Sequence, residues 1–192
     1  FRYRYAVPKS LHAITRNRQL FANALGYVMP DTLPDASIDL PQSVLTADRL
    51  VLLPGTSRQE KQWSVACWVA VAQWASEHFA EVVIPVADAA FQTVFTNQWP
   101  ESSVHWLVGK SLTEVATCLA GARAVVSVDT GLAHVADALG IPLLALYGPT
   151  DPARVGPVQP SSDCMVAPQG RMVGITSAAV IDWLRARTTS AD

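Results

Sequence analysis

The stretch Ala122 to Gly148 reads A-R-A-V-V-S-V-D-T-G-L-A-H-V-A-D-A-L-G-I-P-L-L-A-L-Y-G, and its pattern decides the fold. Arg123 to Val128 is a short β-branched run without polar alternation, the mark of a central parallel strand buried on both faces. Beyond Asp129, Leu132, Val135, Ala136 and Leu139 recur at helical spacing, and Gly140 followed by Pro142 ends that helix. Leu143 to Tyr147 is a second buried strand. The unit is strand, tight D-T-G turn, helix, strand. Its turn faces the carboxyl end of the sheet, where open α/β folds bind ligands.

Chemistry is expected at that turn. Asp129 and Thr130 are of the type that caps a helix, and Gly131 lets a ligand approach the backbone closely. The first-turn N–H groups and the helix dipole favour an anion such as a diphosphate. His134 lies one turn in, off the Leu132 and Leu139 stripe, where it can face the same mouth. A capped helix beside a solvated histidine explains the same residues, and the D-T-G turn alone leaves both readings open.

Working outward, 192 residues that are 50% hydrophobic suffice for one globular domain with room for an appendage. A formal net charge of −2 argues against bulk nucleic-acid binding, and no apolar run reaches the roughly 18 residues of a membrane span. Cys67, Cys118 and Cys164 are odd in number and far apart, so they read as reduced core thiols of a cytosolic protein, with no disulfide or metal expected. The chain opens at Phe1 without Met, directly into F-R-Y-R-Y, and reads as a piece of something longer. Arg2, Arg4, Lys9, Arg16 and Arg18 all precede Asp31, the first acid, which implies a cationic patch. That patch is either a solvated face or a surface for an anionic partner.

Ser10 to Gly26 carries Leu11, Ile14, Phe21 and Leu25 and reads as an amphipathic helix with its basic residues on the other side. Met29 to Pro41, with Pro30, Pro34 and Pro41 among small polar residues, reads as a linker. It divides a segment over 1–41 from a domain over 42–192. From Arg49 onward the pattern alternates strand and helix. Strands are expected at Leu50 to Leu53, Val82 to Ile84, Val104 to Leu107, Ala124 to Val128, Leu143 to Leu146 and, more weakly patterned, Cys164 to Val166. Helices are expected at Ser64 to Phe79, Asp88 to Gln98, Leu112 to Leu119, Leu132 to Leu139 and Ser177 to Arg187. Such alternation predicts an α/β, Rossmann-like, doubly wound parallel sheet of order 3-2-1-4-5-6, whose switch point lies between the first and fourth strands.

The first of those strands ends in Pro54-Gly55-Thr56-Ser57-Arg58-Gln59-Glu60-Lys61, with a close-approach glycine, two hydroxyls and a lysine. It matches neither common phosphate-loop motif, so its interest comes from its placement beside D-T-G. Lys110 and Ser111 follow the third strand at the same sheet end, where Ser111 and Glu114 form an S-x-x-E capping box. Tyr147 to Pro152 is a rigid turn series that either walls a base or sugar pocket or is a plain turn. Trp63, Trp68 and Trp74 are most simply packing residues. His12, His78 and His105 have no partners at useful spacing.

The segments H-A-I-T-R-N-R-Q-L-F, G-T-S-R-Q-E-K-Q-W, K-S-L-T-E-V-A-T-C-L-A-G-A-R, V-S-V-D-T-G-L-A-H and L-Y-G-P-T-D-P together resemble the lipopolysaccharide heptosyltransferase family. The resemblance spans nearly the whole chain. It implies a GT-B glycosyltransferase, two Rossmann-like domains facing a cleft, with this chain as the donor-binding half and its linker. It implies inverting transfer of heptose from ADP-heptose to a Kdo residue of lipid A, peripheral on the cytoplasmic face of the bacterial inner membrane, with no cofactor and no metal. Donor contacts then fall on Thr56, Ser57 and Lys61 in the first loop and on Asp129, Thr130, Gly131 and His134 in the second. Gly55, Asp88, Lys110 and Leu132 are secondary candidates. Lys61 is assigned to stabilising the leaving diphosphate, and the base is assigned to the amino-terminal domain. Two departures stand out. Asp88 is slightly out of register for the acid expected after the second strand, and Lys110 stands where an apolar residue is expected. A second core heptosyltransferase, another GT-B enzyme with a different nucleotide sugar, or a noncatalytic nucleotide-binding module fits the same residues.

Overall fold

The computed structural model describes residues 3–32, 37–38 and 47–188, the side chain of Thr188 excepted. Arg2, Pro34 and Pro41, with much of the expected linker, lie outside the described residues. In chain order the elements are α1 (Ala13–Leu25), β1 (Arg49–Leu53), α2 (Val65–Ser76), β2 (Glu81–Val86), α3 (Ala89–Gln98), β3 (His105–Val108) and α4 (Leu112–Ala120). They continue as β4 (Ala124–Val128), α5 (Gly131–Ala138), β5 (Leu143–Tyr147), α6 (Pro152–Val155), β6 (Ser162–Val166) and α7 (Ser177–Thr188). The six strands form one sheet in the order β3-β2-β1-β4-β5-β6, every neighbouring pair parallel. The expected order and the reversal between β1 and β4 are those observed.

The apolar runs read as buried strands because the sheet has a core on each face. Leu50, Leu52, Val126, Val128, Leu144 and Leu146 point into a core shared with α2, α3 and α7. Their neighbours Val51, Leu53, Val125, Leu143, Ala145 and Tyr147 point into a second core beneath α4 and α5. Burying alternate residues on opposite faces leaves no position for a polar side chain, which is why period-two alternation is absent. Ser127 is the exception, fully buried, and its hydroxyl donates to the Val128 carbonyl at 2.7 Å. Trp63 and Trp68 are buried in an edge-to-face pair with centroids 4.9 Å apart.

Several expectations change. The α1 helix is capped by His12 rather than Ser10: Nδ1 accepts from the Ile14 N–H at 3.3 Å, while Nε2 donates to the Gly156 carbonyl at 3.1 Å. Both bonds suit one neutral tautomer, so His12 has a partner that no local spacing reveals. At the other end Gly26 adopts φ 73°, as a helix-terminating glycine does. Among the described residues the apolar stripe of α1 is covered only in its first half, where Leu11 and Ile14 are half-buried. Phe21 and Leu25 are 60% and 72% exposed, and among its described residues only Ala22 is buried. Cys164 is exposed on the edge strand β6 rather than in the core, and Cys67 and Cys118 are only half-buried.

Asp137, unremarked in the sequence, is buried on α5 and accepts from Val158 N–H (2.8 Å), Gln159 N–H (3.0 Å) and Ser162 Oγ (2.7 Å). One carboxylate thus ties α5 to the segment leading into β6. Replacing it by alanine strands two backbone donors and a hydroxyl in a partly buried site, at about 1–3 kcal/mol for each group left unsatisfied. Asp137→Ala is therefore expected to lower unfolding stability in urea by about 3 kcal/mol, and Asp137→Asn by less. A loss below about 1 kcal/mol for the alanine variant would show that the 158–162 segment is held by other contacts.

Candidate functional site

Parallel pairing of Leu53 with Ser127 brings the ends of β1 and β4 side by side at the switch point. Their following loops therefore meet. Between them is a cavity of about 260 Å³ lined by Thr56, Ser57, Arg58, Lys61, Asp129, Thr130, Gly131 and His134. The seven principal residues singled out in the sequence, from two loops some seventy positions apart, share it. Arg58 is the addition. It stands in the quoted loop, and its signal was a second cation three residues before Lys61.

At the centre, Lys61 Nζ donates to Asp129 Oδ2 at 2.5 Å, and the two side chains are only 14% and 9% exposed. This corrects the capping expectation for Asp129, whose carboxylate is occupied by the lysine. Thr130 takes the N-cap position of α5 with extended backbone but makes no side-chain cap bond. The amino end of α5 has no side-chain cap from Thr130, and its first residue, Gly131, lines the cavity. Nothing lies within 4 Å of where a Cβ on Gly131 would stand, so a ligand can reach that backbone. His134 is exposed at the rim.

Lys61 owes its position to packing below it. Gln59–Lys61 is one 3-10 turn, followed after Gln62 by Trp63, whose indole N–H donates to the Ile175 carbonyl at 2.8 Å inside the core. The turn also rests on the end of β5: a Cβ on Gly148 would stand 3.4 Å from the Glu60 carbonyl and 2.9 Å from Met172 Cγ and Sδ. Gly148 is therefore a close-approach residue, a role its sequence context does not announce. Glu60 turns outward, where Arg58 pairs with it, Nε at 2.7 Å and Nη2 at 2.5 Å from Oε1. Its own backbone N–H and then Arg58 hold the Glu60 carboxyl below its ordinary range.

The secondary candidates lie elsewhere. Gly55 is exposed beside the cavity without lining it. Asp88 caps α3 by accepting from Ala90 N–H at 2.9 Å. Lys110 pairs with Glu114 at 3.0 Å, and that glutamate is held to about 2 by the Ser111 backbone N–H and hydroxyl and by Lys110. Leu132 packs against the core beneath α4 and α5. Tyr147 is fully buried, its hydroxyl has no partner, and burial followed by the nearby Asp129 charge pushes its pKa up. A separate groove of about 310 Å³ between the first residues and α1 is lined by Tyr5, Val7, Lys9, Arg16, Asn17 and Leu20. Among the described residues no three His, Cys, Asp or Glu side chains gather as a metal site.

The cavity thus combines cations, hydroxyls, the amino end of a helix and one carboxylate. Such a set suits a ligand with an anionic half and a hydroxyl-rich half.

Comparison with known proteins places residues 1–176 in agreement with glycosyltransferase family 9 (heptosyltransferase). The chain is 32% identical over 199 residues to lipopolysaccharide heptosyltransferase 1 of Escherichia coli, covering 94% of this chain and 58% of that protein. Its Pseudomonas aeruginosa counterpart is 39% identical over 160 residues, covering 81% of this chain and 45% of that one. In three dimensions the chain matches Escherichia coli heptosyltransferase WaaC with ADP at a TM-score of 0.81 and 30% identity, covering 97% of this chain and 60% of that one. The chain therefore spans about half the length of the curated relatives it matches.

A buried ion pair is costly to break from one side, since the remaining charge is left desolvated. A double-mutant cycle with Lys61→Met and Asp129→Asn, read by urea unfolding, is expected to give a coupling energy of about 1–3 kcal/mol, above the range of exposed pairs. A value below about 0.5 kcal/mol would mean that the two groups meet only as a solvated contact.

Proposed function

Because the chain belongs to glycosyltransferase family 9, the heptosyltransferases, we propose that it forms the donor-binding half of a GT-B enzyme that moves heptose from ADP-heptose to a Kdo residue of lipid A. The observation that carries this reading is the meeting of Lys61, Asp129 and the uncapped amino end of α5 in one cavity. In this reading the diphosphate lies against the α5 N–H groups and Lys61, with the Thr56 and Ser57 hydroxyls beside it, and Asp129 accepts hydrogen bonds from heptose hydroxyls. His134 and Thr130 wall the mouth.

The transfer inverts the sugar: the acceptor hydroxyl attacks the anomeric carbon as the bond to the β-phosphate oxygen breaks. Negative charge grows on the leaving ADP, and Lys61 with the α5 terminus stabilises it in place of a metal or cofactor. The base that removes the acceptor proton comes from protein outside this chain. The enzyme works peripherally at the cytoplasmic face of the inner membrane, with Arg4, Arg16 and Arg18 toward the anionic acceptor surface. No described helix is long and apolar enough to cross a membrane.

Calorimetry with ADP-heptose, ADP and other nucleotide sugars tests the donor assignment directly. ADP-heptose is expected to bind most tightly, and stronger binding of a uridine or guanosine sugar would overturn it. Asp129→Asn keeps the shape but removes the charge, so it is expected to weaken ADP-heptose by about tenfold, about 1.4 kcal/mol. ADP alone should hold or improve, since the same change frees Lys61 from its partner. Equal losses for both ligands would remove Asp129 from the sugar site. In the full-length enzyme Lys61→Ala is expected to lower turnover by roughly 100-fold or more, with a smaller change in ADP affinity, because the charge it meets is largest in the transition state. Unchanged turnover would exclude Lys61 from the chemistry.

A further inference from the structure

The cavity holds two cations, and they are differently committed. Lys61 is deep and already neutralised by Asp129 at 2.5 Å. An incoming diphosphate therefore has to share that ammonium with a buried carboxylate. Arg58 lines the same cavity nearer its rim, with its side chain 59% exposed, and its partner Glu60 is 49% exposed and does not line the cavity.

The guanidinium's bonding is also incomplete. Of its five N–H groups, Nε–H and one on Nη2 both converge on Glu60 Oε1. Glu60 thus holds the fork by one edge and leaves the other edge available, the geometry in which guanidinium takes up a phosphate by two parallel bonds. The base of the side chain is positioned too, since the Arg58 backbone N–H donates to Thr56 Oγ1 at 3.3 Å, fixing the turn from which the arginine projects. An exposed ion pair is weakly held, so a multivalent anion seated on the α5 N–H groups can draw the free edge over without breaking buried structure.

We infer that Arg58 is a further diphosphate-binding residue of this site, held beside the cavity by Glu60, which competes with the ligand for the guanidinium. The inference rests on the proposed donor site and adds to it a second positive charge, on a side chain whose carboxylate partner is exposed rather than buried. Glu60 acts as a positioning residue through Arg58.

The test is titration calorimetry of this chain at fixed ionic strength with inorganic pyrophosphate, ADP and AMP, using Arg58→Gln, Arg58→Lys and Glu60→Gln. All three changes are at exposed side chains, and circular dichroism melts check that folding is kept. Arg58→Gln is expected to weaken pyrophosphate and ADP by about tenfold and AMP by less, and Arg58→Lys to restore only part. Glu60→Gln is expected to strengthen pyrophosphate and ADP several-fold, because the competing carboxylate is gone. Pyrophosphate and ADP affinities unchanged by Arg58→Gln would overturn the inference. Weakening by Glu60→Gln to the same extent as Arg58→Gln would also overturn it, by showing that the intact pair, not the freed arginine, is what the ligand needs. Pyrophosphate carries neither base nor sugar. A chain that binds it through Arg58 while preferring another nucleotide sugar refutes the donor identity alone, and a chain that binds ADP-heptose with Arg58→Gln unaffected refutes this inference alone.

Discussion

The parallel pairing of β1 with β4 is the constraint on which the rest depends. Strands that follow one another in the chain lie on either side of this pair, so the helices after β1 and β4 leave on opposite faces and the loops between them open a crevice. The pairing holds because Leu50 to Leu53 and Ala124 to Val128 are buried on both faces, and a slip of one residue would exchange the side chains of the two cores. The register that protects the cores also sets the distance between Lys61 and Asp129.

Electrostatically, each cation of the cavity is matched by a carboxylate, Lys61 by Asp129 and Arg58 by Glu60. A lysine and an aspartate that together are largely shielded from water have to be paired, since either one alone would carry a large desolvation cost. The pairing also keeps both groups in fixed positions, one suited to a phosphate and the other to a hydroxyl. Neither position is set by the pair itself. Lys61 sits on a turn anchored through Trp63 to the core and through Gly148 to β5, and Asp129 ends a strand that cannot shift. Such support by rigid elements is what a binding constellation requires.

Away from the crevice, polar groups act as fasteners. Asp137 holds the approach to β6 against α5, and His12 with Arg154 fastens the α1 region to α6 through the Gly156 and Lys9 carbonyls. The outer side of α1 shows the opposite condition. Phe21 and Leu25, with Tyr27 and Val28 just beyond the helix, are exposed, so the second half of its apolar stripe is left uncovered among the described residues. Periodicity states that a helix has an apolar side, but not what covers it.

How much was legible follows from the kind of interaction involved. The buried strands, the helices and the sheet order could be read from residue order because burial on one or both faces repeats along many residues, and right-handed crossovers leave few arrangements. The D-T-G and G-T-S loops could be placed together by the same logic, since strand order alone decides which loops adjoin the switch point. Partnership of individual polar groups was not legible. Asp129 could be read as a helix cap or as a ligand contact, and its pairing with Lys61 was hidden because only the β1–β4 register puts an ammonium 2.5 Å from it. Ser10 looked like the start of α1, whereas His12 took the role while reaching a carbonyl 144 residues away. Asp137 and Gly148 carried no local signal, and Arg58 only that of a second cation three residues before Lys61. Hydrophobic patterning is a sum over many residues and tolerates error at any one of them, while a hydrogen bond or ion pair exists only within a fraction of an ångström. That precision comes from long-range pairing and packing, so the tertiary structure alone decided which charges and donors meet.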